Sequence, residues 1–324
     1  MKVLVIRFSS IGDIILTSPV VRCLKLQAGA EIHFLTKKSF ASVLTASPYI
    51  DQVHTIQKDL SEVARSLQEE NFDLILDLHK NLRSWRVRSL LRKRYITFDK
   101  ANFRKWLMVR FKVRNLQVDH IVNRYMESLK PLGITYDGEG LDYFLHPPSS
   151  SFPVISEPYI CFGIGGTHAT KRLPVGKMRE ICSSIPASIY LLGGSEDVDA
   201  GAQIADQLSH VHNLCGTLSI SDSARMVKGA SAVLTHDTAI MHIAAAFNRR
   251  IFSIWGNTIP EFGMFPFLPD QKGFPFEVFQ INDLPCRPCS KIGYSQCPKG
   301  HFNCMNEQNT RHIAELVQGA LSSF

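Results

Sequence analysis

The run His236-Asp237-Thr238-Ala239-Ile240-Met241-His242 brings an acid, a hydroxyl and the start of a small-residue helix together directly after an apolar strand at 232–235. Open α/β sheets bind ligands at the carboxyl ends of their strands, and the N-terminus of a helix there favours a diphosphate. Thr238 and His242 are one helical turn apart on the same face. The spacing therefore predicts a diphosphate site that uses Thr238 and the backbone amide of Ala239.

Two side chains of this run keep two interpretations each. Asp237 repels a diphosphate, so we expect it to bind hydroxyl groups elsewhere on the ligand or to cap the helix. His242 either donates a hydrogen bond to the ligand or is a satisfied histidine inside the helix.

A second acid follows the first strand, in the segment Ser9-Ser10-Ile11-Gly12-Asp13. At the carboxyl end of a strand, Asp13 is positioned to act as a general base. From spacing alone, a carboxylate that interacts with a helix dipole is an equally good interpretation.

Apolar strands alternate with helical segments along most of the chain, which predicts βαβ units and parallel sheets. Proline and serine at 147–153 mark a linker between two such patterns. We therefore predict two Rossmann-like domains that face a cleft, residues 1–150 and 151–324. Expected strands lie at 2–7, 31–36, 53–56, 73–78, 159–163, 188–192, 232–235 and 250–254, and expected helices at 14–26, 38–46, 60–70, 174–183, 219–229, 238–246 and 309–321.

The composition is that of a soluble globular protein, with 324 residues, 45% hydrophobic and 20% charged. No apolar stretch approaches the roughly 20 residues of a membrane span, and the N-terminus lacks the pattern of a signal peptide. A cytoplasmic location is the simplest expectation.

The net charge of +7 is concentrated between Lys80 and Arg114, where thirteen Lys or Arg residues are interleaved with aromatic residues that include Trp85, Phe103, Trp106 and Phe111. Such a patch attracts anionic lipid headgroups, phosphorylated glycolipids or nucleic acid. A solvated helical face is the alternative.

Four of the eight cysteines cluster as Cys286, Cys289, Cys297 and Cys304 in a segment rich in proline and glycine. This spacing is compatible with a structural zinc site, although only one pair has the two-residue separation typical of zinc knuckles. Reduced thiols without metal are the favoured interpretation. The Asp197-Val198-Asp199 sequence has the form of a metal-binding acid pair, but we interpret it as helix-capping acids.

Five segments, in order along the chain, resemble the ADP-heptose:lipopolysaccharide heptosyltransferases, glycosyltransferase family 9. They are Val3–Ile14, Phe72–Ser84, Lys171-Arg172-Leu173-Pro174, the 237–246 run and the cysteine-rich tail. The resemblance implies a GT-B fold whose terminal helix returns to pack on the first domain. It also implies an inverting, metal-independent transfer of heptose from ADP-heptose to the inner core of lipopolysaccharide.

The resemblance places the base at Asp13. It also implies that Lys171 stabilises the departing ADP. For Lys171 the alternatives are that Lys171 and Arg172 are ordinary surface residues, or that Arg172 points into the site instead. The expected donor site comprises Gly165, Gly166, Thr167, Lys171, Asp237, Thr238, Ala239 and His242. Ala239 stands where many members carry glycine. The expected acceptor site comprises Ser10, Gly12, His79, Asn81, Arg83 and His120, and for the last four structural roles are the alternative.

The implied partners are a nucleotide sugar, a lipid-anchored phosphorylated glycan and the anionic cytoplasmic face of the inner membrane of a Gram-negative bacterium, without nucleic acid. One alternative is a related transferase with another nucleotide sugar or glycan acceptor. Another class, a basic protein that binds nucleic acid or nucleotides without transfer, leaves the ligand turns of the second domain unexplained. A nicotinamide-dependent oxidoreductase lacks its Gly-x-Gly-x-x-Gly fingerprint.

Overall fold

The computed structural model describes residues 1–113, 116, 118–150, 152, 153, 155–270 and 276–321. The strands are β1 (Lys2–Ile6), β2 (Glu31–Lys37), β3 (Gln52–Ile56), β4 (Leu74–Asp77), β5 (Tyr95–Thr97), β6 (Tyr159–Gly163), β7 (Ser188–Leu192), β8 (Val211–Asn213), β9 (Ala232–His236), β10 (Arg250–Trp255) and β11 (Phe276–Gln280).

The α-helices are α1 (Ile11–Ile15), α2 (Ser18–Ala28), α3 (Ala64–Glu69), α4 (Leu82–Leu91), α5 (Asn102–Phe111), α6 (Ile121–Glu127), α7 (Val175–Ser184), α8 (Val198–Ala205), α9 (Ile220–Gly229), α10 (Ala239–Ala246), α11 (Asn303–Asn306) and α12 (Thr310–Gly319). Short 3₁₀ helices replace the expected helix at 38–46 and the first turn of that at 60–70. The expected helix at 14–26 is interrupted at Leu16 and Thr17, just before Pro19 at the start of α2.

The chain divides into two compact units, of which unit 1 contains residues 1–100 and 120–146. Its five parallel strands lie in the order β3-β2-β1-β4-β5. In the central strand β1, the residues after Lys2 form an unbroken apolar run because helices cover both faces of a parallel sheet. The carboxyl ends of β1 and β4, which are neighbours, carry the segments that contain Asp13 and His79.

Unit 2 contains residues 101–119 and 147–324. Its six parallel strands lie in the order β11-β10-β9-β6-β7-β8. Two parallel α/β sheets agree with the fold class predicted from the sequence.

Two features of unit 2 differ from the expectations. The segment 101–119, which includes α5, belongs to unit 2, where Met108 packs with Val118, Ile259 and Phe262. The terminal helix α12 packs within unit 2 against α7, because its apolar residues Ile313 and Val317 join the core of that unit. The terminal helix was expected to pack on the first domain.

Candidate active site

The candidate donor site of unit 2 is assembled at the carboxyl ends of four neighbouring strands, β10, β9, β6 and β7. The turn at Gly165 and Gly166 follows β6, and Asp237 and Thr238 follow β9. A Cβ atom on Gly166 would lie 3.1 Å from Thr238 Cγ2, and one on Gly165 would lie 2.4 Å from Asp197 Oδ2. A side chain at position 165 would therefore overlap the buried Asp197 carboxylate, whereas one at position 166 would fit only if Thr238 moved by a few tenths of an ångström.

Lys171 and Asp237 form an ion pair, with Lys171 Nζ 2.6 Å from Asp237 Oδ2. Thr258, which follows β10, donates a 2.9 Å hydrogen bond from Oγ1 to the same carboxylate oxygen. Both members of the pair are largely buried, at 18% and 9% side-chain exposure. Of the two roles expected for Asp237, helix capping is therefore not the one observed: the cap residue of α10 is Thr238.

Helix α10 begins without a side-chain hydrogen bond to its first turn, because Thr238 Oγ1 lies 3.2 Å from Thr235 Oγ1 instead. The first amides of the helix thus lack this common protein acceptor. Ala239 is the first residue of α10, and its ordinary helical position does not require glycine. His242 lies inside the helix and is 3% exposed.

Arg172 points to Asp197, with Nη1 2.8 Å from Oδ1. The other carboxylate oxygen of Asp197 accepts a hydrogen bond from Gly194 N at 2.9 Å, which closes the turn after β7. Asp197 is buried and its interactions are internal, in agreement with a structural rather than a metal-binding role for the Asp197-x-Asp199 pair.

The turn that carries Lys171 is fixed from two sides. Leu173 N donates to His236 Nε2 at 3.0 Å, and burial lowers the pKa of His236 to about 3, so its ring is neutral. Thr170 exchanges hydrogen bonds with Tyr294, which lies in the cysteine-rich tail. Thr167 is exposed at the end of the glycine turn.

The sequence did not single out Arg287, which is buried and orders the loop after β10. Its guanidinium donates to the carbonyl oxygens of Gly256 and Thr258 at 2.6 and 2.8 Å. Arg287 thereby fixes the backbone that presents Thr258 to Asp237. Its position between two cysteines gave no local signal of this role, since its partners are distant in sequence.

The candidate acceptor side of unit 1 centres on Asp13. Asp13 Oδ1 lies 2.6 Å from Arg7 Nη2, and Oδ2 accepts from Ser10 N and Oγ at 3.1 and 2.9 Å. Burial disfavours the charged carboxyl, but attraction to Arg7 and the Ser10 hydrogen bonds outweigh it and lower the pKa of Asp13 to about 2. The side chain is still 24% exposed, so a substrate hydroxyl can reach it.

Arg7 is held in turn by the carbonyl oxygens of Leu78 and Ser9 and by the Tyr125 hydroxyl. His79 and Arg83 flank the ring of Phe8, at centroid distances of 5.3 and 5.5 Å. Burial, followed by the positive charge of Arg7, lowers the pKa of His79 to about 4, so its imidazole is neutral near pH 7.

Two of the expected acceptor residues use their side chains in helix capping. Asn81 Oδ1 accepts from Ser84 N at the start of α4, and His120 Nδ1 accepts from Val122 N at the start of α6. His120 is also buried, at 4% exposure. Gly12 is buried within α1, where it contributes only backbone.

The four tail cysteines are free thiols, with Cys289 Sγ donating to Cys286 O and with Cys304 buried. Across the described ranges, these cysteines do not form a group of three or more potential metal ligands within 4.8 Å of one another.

Residues 60–289 match the family model of glycosyltransferase family 9 (heptosyltransferase). The lipopolysaccharide heptosyltransferase 1 of Pseudomonas aeruginosa is 26% identical over 324 residues, covering 90% of this chain and 86% of the relative. The solved E. coli ADP-heptose lipopolysaccharide heptosyltransferase II has a TM-score of 0.74 at 20% identity, covering 100% and 99% of the two chains. E. coli heptosyltransferase WaaC with ADP has a TM-score of 0.70 at 20% identity, covering 99% and 100%.

Proposed function

This chain belongs to glycosyltransferase family 9 and has the GT-B type fold of its heptosyltransferases, and from this premise we propose that it transfers heptose from ADP-heptose to the inner core of lipopolysaccharide. The observation that carries the proposal is the convergence of Lys171, Asp237 and the uncapped start of α10 at one edge of the second sheet. A lysine beside a helix N-terminus suits a diphosphate, and a neighbouring carboxylate suits sugar hydroxyls.

In the proposed donor complex, the diphosphate lies against the glycine turn, Thr238 and the amides at Ala239. Lys171 stabilises the negative charge that develops on the β-phosphate as ADP departs. Asp237 keeps the ammonium in position and accepts hydrogen bonds from the heptose. His242 is buried within α10, so we propose that it supports the helix from within.

In the proposed acceptor complex, Asp13 removes the proton from the acceptor hydroxyl while the oxygen of that hydroxyl bonds to the anomeric carbon of the heptose. The bond from that carbon to the β-phosphate oxygen breaks in the same displacement, which inverts the anomeric configuration. A carboxylate with a pKa near 2 serves as the base if the proton moves late, when the hydroxyl has already become acidic. Ser10 orients Asp13, and His79 and Arg83 bind the anionic acceptor.

We propose that no metal takes part in this transfer, because Lys171 and the helix amides provide the positive potential at the leaving group. The four tail cysteines are not needed for it. The tail that carries them has a structural role, because its Tyr294 holds Thr170 in place beside Lys171.

The lipid anchor of the acceptor requires the enzyme to work at a membrane surface. No helix among the described residues is long and apolar enough to span a bilayer. We propose peripheral attachment to the anionic cytoplasmic face of the inner membrane of a Gram-negative bacterium, through the aromatic face of α5, which comprises Phe103, Trp106 and Phe111. These rings contact one another at centroid distances of 6.0 and 5.4 Å and are 49–70% exposed.

Basic side chains surround this aromatic face, and Arg110 lies 5.5 Å from the Phe111 ring. Exposed aromatic rings flanked by cations are typical of segments that rest at a lipid interface. The basic region predicted from the sequence is divided between α4 of unit 1 and α5 of unit 2, and Arg114 lies outside the described residues.

Calorimetric titration with ADP-heptose, ADP and UDP-sugars tests the donor assignment, with Lys171→Ala as the variant and Lys177→Ala, a surface lysine of α7, as the control. We expect ADP-heptose to bind most tightly and only Lys171→Ala to weaken it. Preference for another nucleotide sugar would replace the donor, and absence of nucleotide binding would overturn the assignment of the site.

A further inference from the structure

Two buried histidines meet on neighbouring strands of the first sheet. His33 Nδ1 lies 2.9 Å from His54 Nε2, and the rings stack with centroids 5.2 Å apart. Both imidazoles are less than one-tenth exposed. They lie on β2 and β3, and the expected active site makes no use of them.

A carboxylate completes the group from the end of α3. Glu70 Oε2 is 3.9 Å from His33 Nδ1, and the candidate ligand atoms of His33, His54 and Glu70 all lie within 4.8 Å of one another. Ligands bound to zinc at about 2.0–2.1 Å in a tetrahedron are about 3.3 Å apart. Small side-chain shifts therefore suffice to place the three atoms around one ion.

The opposite nitrogen of His33 indicates which tautomer faces this group. His33 Nε2 lies 3.1 Å from Glu31 Oε1 and donates its proton to that carboxylate. The Nδ1 lone pair is then left facing His54 and Glu70. A histidine whose second nitrogen is held by a carboxylate is the usual arrangement of metal-bound imidazole.

The cluster already attracts a cation. Lys2 Nζ lies 2.9 Å from Glu70 and 3.1 Å from Glu31. Without a metal, hydrogen bonds link Glu31 to His33 and His33 to His54, and Lys2 forms ion pairs with both Glu31 and Glu70. These contacts satisfy the same side chains that would hold the ion. The two arrangements differ in the role of Lys2, which competes with a metal and supports the metal-free chain.

We propose that His33, His54 and Glu70 bind a divalent transition ion of the zinc class, with Glu31 as the outer partner of His33. Two imidazoles and one carboxylate form a donor set that suits Zn²⁺, with water as the fourth ligand. The ion would join β2 and β3 to the end of α3 and stabilise unit 1. It is independent of the proposed sugar transfer.

Zinc titration of the full-length, chelator-treated protein tests the site through calorimetry and thermal unfolding. We expect one equivalent to bind and raise the Tm, and His54→Gln and Glu70→Gln each to weaken binding at least about tenfold. His312→Gln, which alters an exposed histidine of α12, is the matched control and leaves binding unchanged.

Lys2→Gln separates the metal site from a purely structural cluster. If the ion displaces the Lys2 ammonium from Glu70, this variant binds zinc several-fold more tightly although the metal-free protein is less stable. A purely structural cluster predicts lower stability and no gain in affinity. Because Lys2 and Glu70 are partly exposed, these two variants remain informative if His54→Gln fails to fold.

Cobalt replaces zinc to identify the ligands, since the tail cysteines are the competing site. We expect absorption bands of nitrogen and oxygen ligation that persist in Cys286→Ser/Cys289→Ser. Thiolate charge-transfer bands that disappear in the cysteine variant, or zinc binding unaffected by His54→Gln and Glu70→Gln, would overturn the proposal.

Discussion

Arg7 Nη2 lies 2.6 Å from Asp13 Oδ1, so the proposed base of the reaction is held in an ion pair with a largely buried guanidinium. Arg7 is itself fixed by Leu78 O and Ser9 O. This pairing fixes the orientation of Asp13 and keeps it ionised, but it also makes the carboxylate a weaker base. The two effects lead to separate predictions, one for activity and one for stability.

We predict that Asp13→Asn lowers kcat by about 10²–10⁴-fold, the usual contribution of general base catalysis. The amide keeps the shape of the side chain, but it is neutral and too weakly basic to accept the proton. Binding of ADP-heptose, measured by calorimetry, is expected to be unchanged because the donor residues lie in unit 2.

Steady-state transfer to a soluble acceptor analogue provides the rate, with Asp13→Glu as a second variant that retains a carboxylate. Wild-type turnover by Asp13→Asn would exclude this residue as the base. Loss of donor binding together with turnover would instead indicate a disturbed fold.

The Asp13–Arg7 pair also predicts a pH-dependent contribution to stability. The pKa of Asp13 is about 2 in the folded protein against an ordinary 3.8, so its stabilisation is complete above pH 4 and declines as the pH falls towards 2. The shift corresponds to about 2 kcal/mol at pH 7 and about 1 kcal/mol less at pH 3.

Urea unfolding of wild type and Asp13→Asn at pH 7 and pH 3 measures this difference, with Asp270→Asn, an exposed carboxylate, as the control. We expect the gap in the free energy of unfolding between wild type and Asp13→Asn to narrow by about 1 kcal/mol at pH 3. A gap that is constant or widens between the two pH values contradicts the ion pair.

Lys171 and Asp237 are predicted to act as a coupled pair in donor binding. Lys171→Ala removes a charge-assisted contact to the diphosphate and should weaken ADP binding roughly 10- to 100-fold. Asp237→Asn should weaken ADP-heptose more than ADP, because the carboxylate is proposed to bind the sugar.

A double-mutant cycle with both substitutions checks the coupling, since residues in contact are not additive. Thr258→Val removes only the hydroxyl that holds Asp237, and we expect a smaller rise in KM than Asp237→Asn produces. Additive effects of Lys171→Ala and Asp237→Asn on ADP-heptose binding would show that the 2.6 Å pair is not part of the donor site.

The family and the α/β fold were predictable from the sequence because they depend on local patterns. Buried parallel strands such as β1 are continuous apolar runs, and the motifs at Asp13, Lys171 and Asp237 lie beside such strands. The sequence resemblance to glycosyltransferase family 9 is confirmed by the family model.

The partners of these site residues were not predictable, because they come from distant parts of the chain. Thr258 reaches Asp237 from the loop after the next strand, β10, and Arg287 stabilises that loop from within the cysteine-rich tail. His120 was expected either to contribute to the acceptor site or to have a structural role, and its side chain caps α6. Such roles depend on tertiary hydrogen bonds rather than on spacing.

The position of α5 was likewise not predictable from the sequence, and it changes the interpretation of the basic region. Its sequence, Asn102–Phe111, contains apolar residues on more than one face, so periodicity alone does not identify the buried side. In the fold Met108 faces the core, and the aromatic face of α5 is left at the surface. The aromatic residues, rather than the charges alone, are then expected to determine attachment to lipid.

We therefore predict that the combined substitution Phe103→Ala, Trp106→Ala and Phe111→Ala reduces partition into vesicles containing anionic phosphatidylglycerol by at least roughly tenfold, given about 1.5–3 kcal/mol for burying each large apolar side chain. Trp85→Ala, at an exposed aromatic of α4, is the matched control and should have a smaller effect.

Replacing Arg92, Lys93 and Arg94 with Gln should weaken binding to anionic vesicles at low salt, because salt screens the attraction between these charges and the lipid headgroups. Turnover on a soluble acceptor should stay nearly intact. If vesicle binding survives the triple aromatic substitution but is lost in the charge variant, membrane contact belongs to the basic end of α4. In that case the aromatic side chains of α5 are not buried in the lipid.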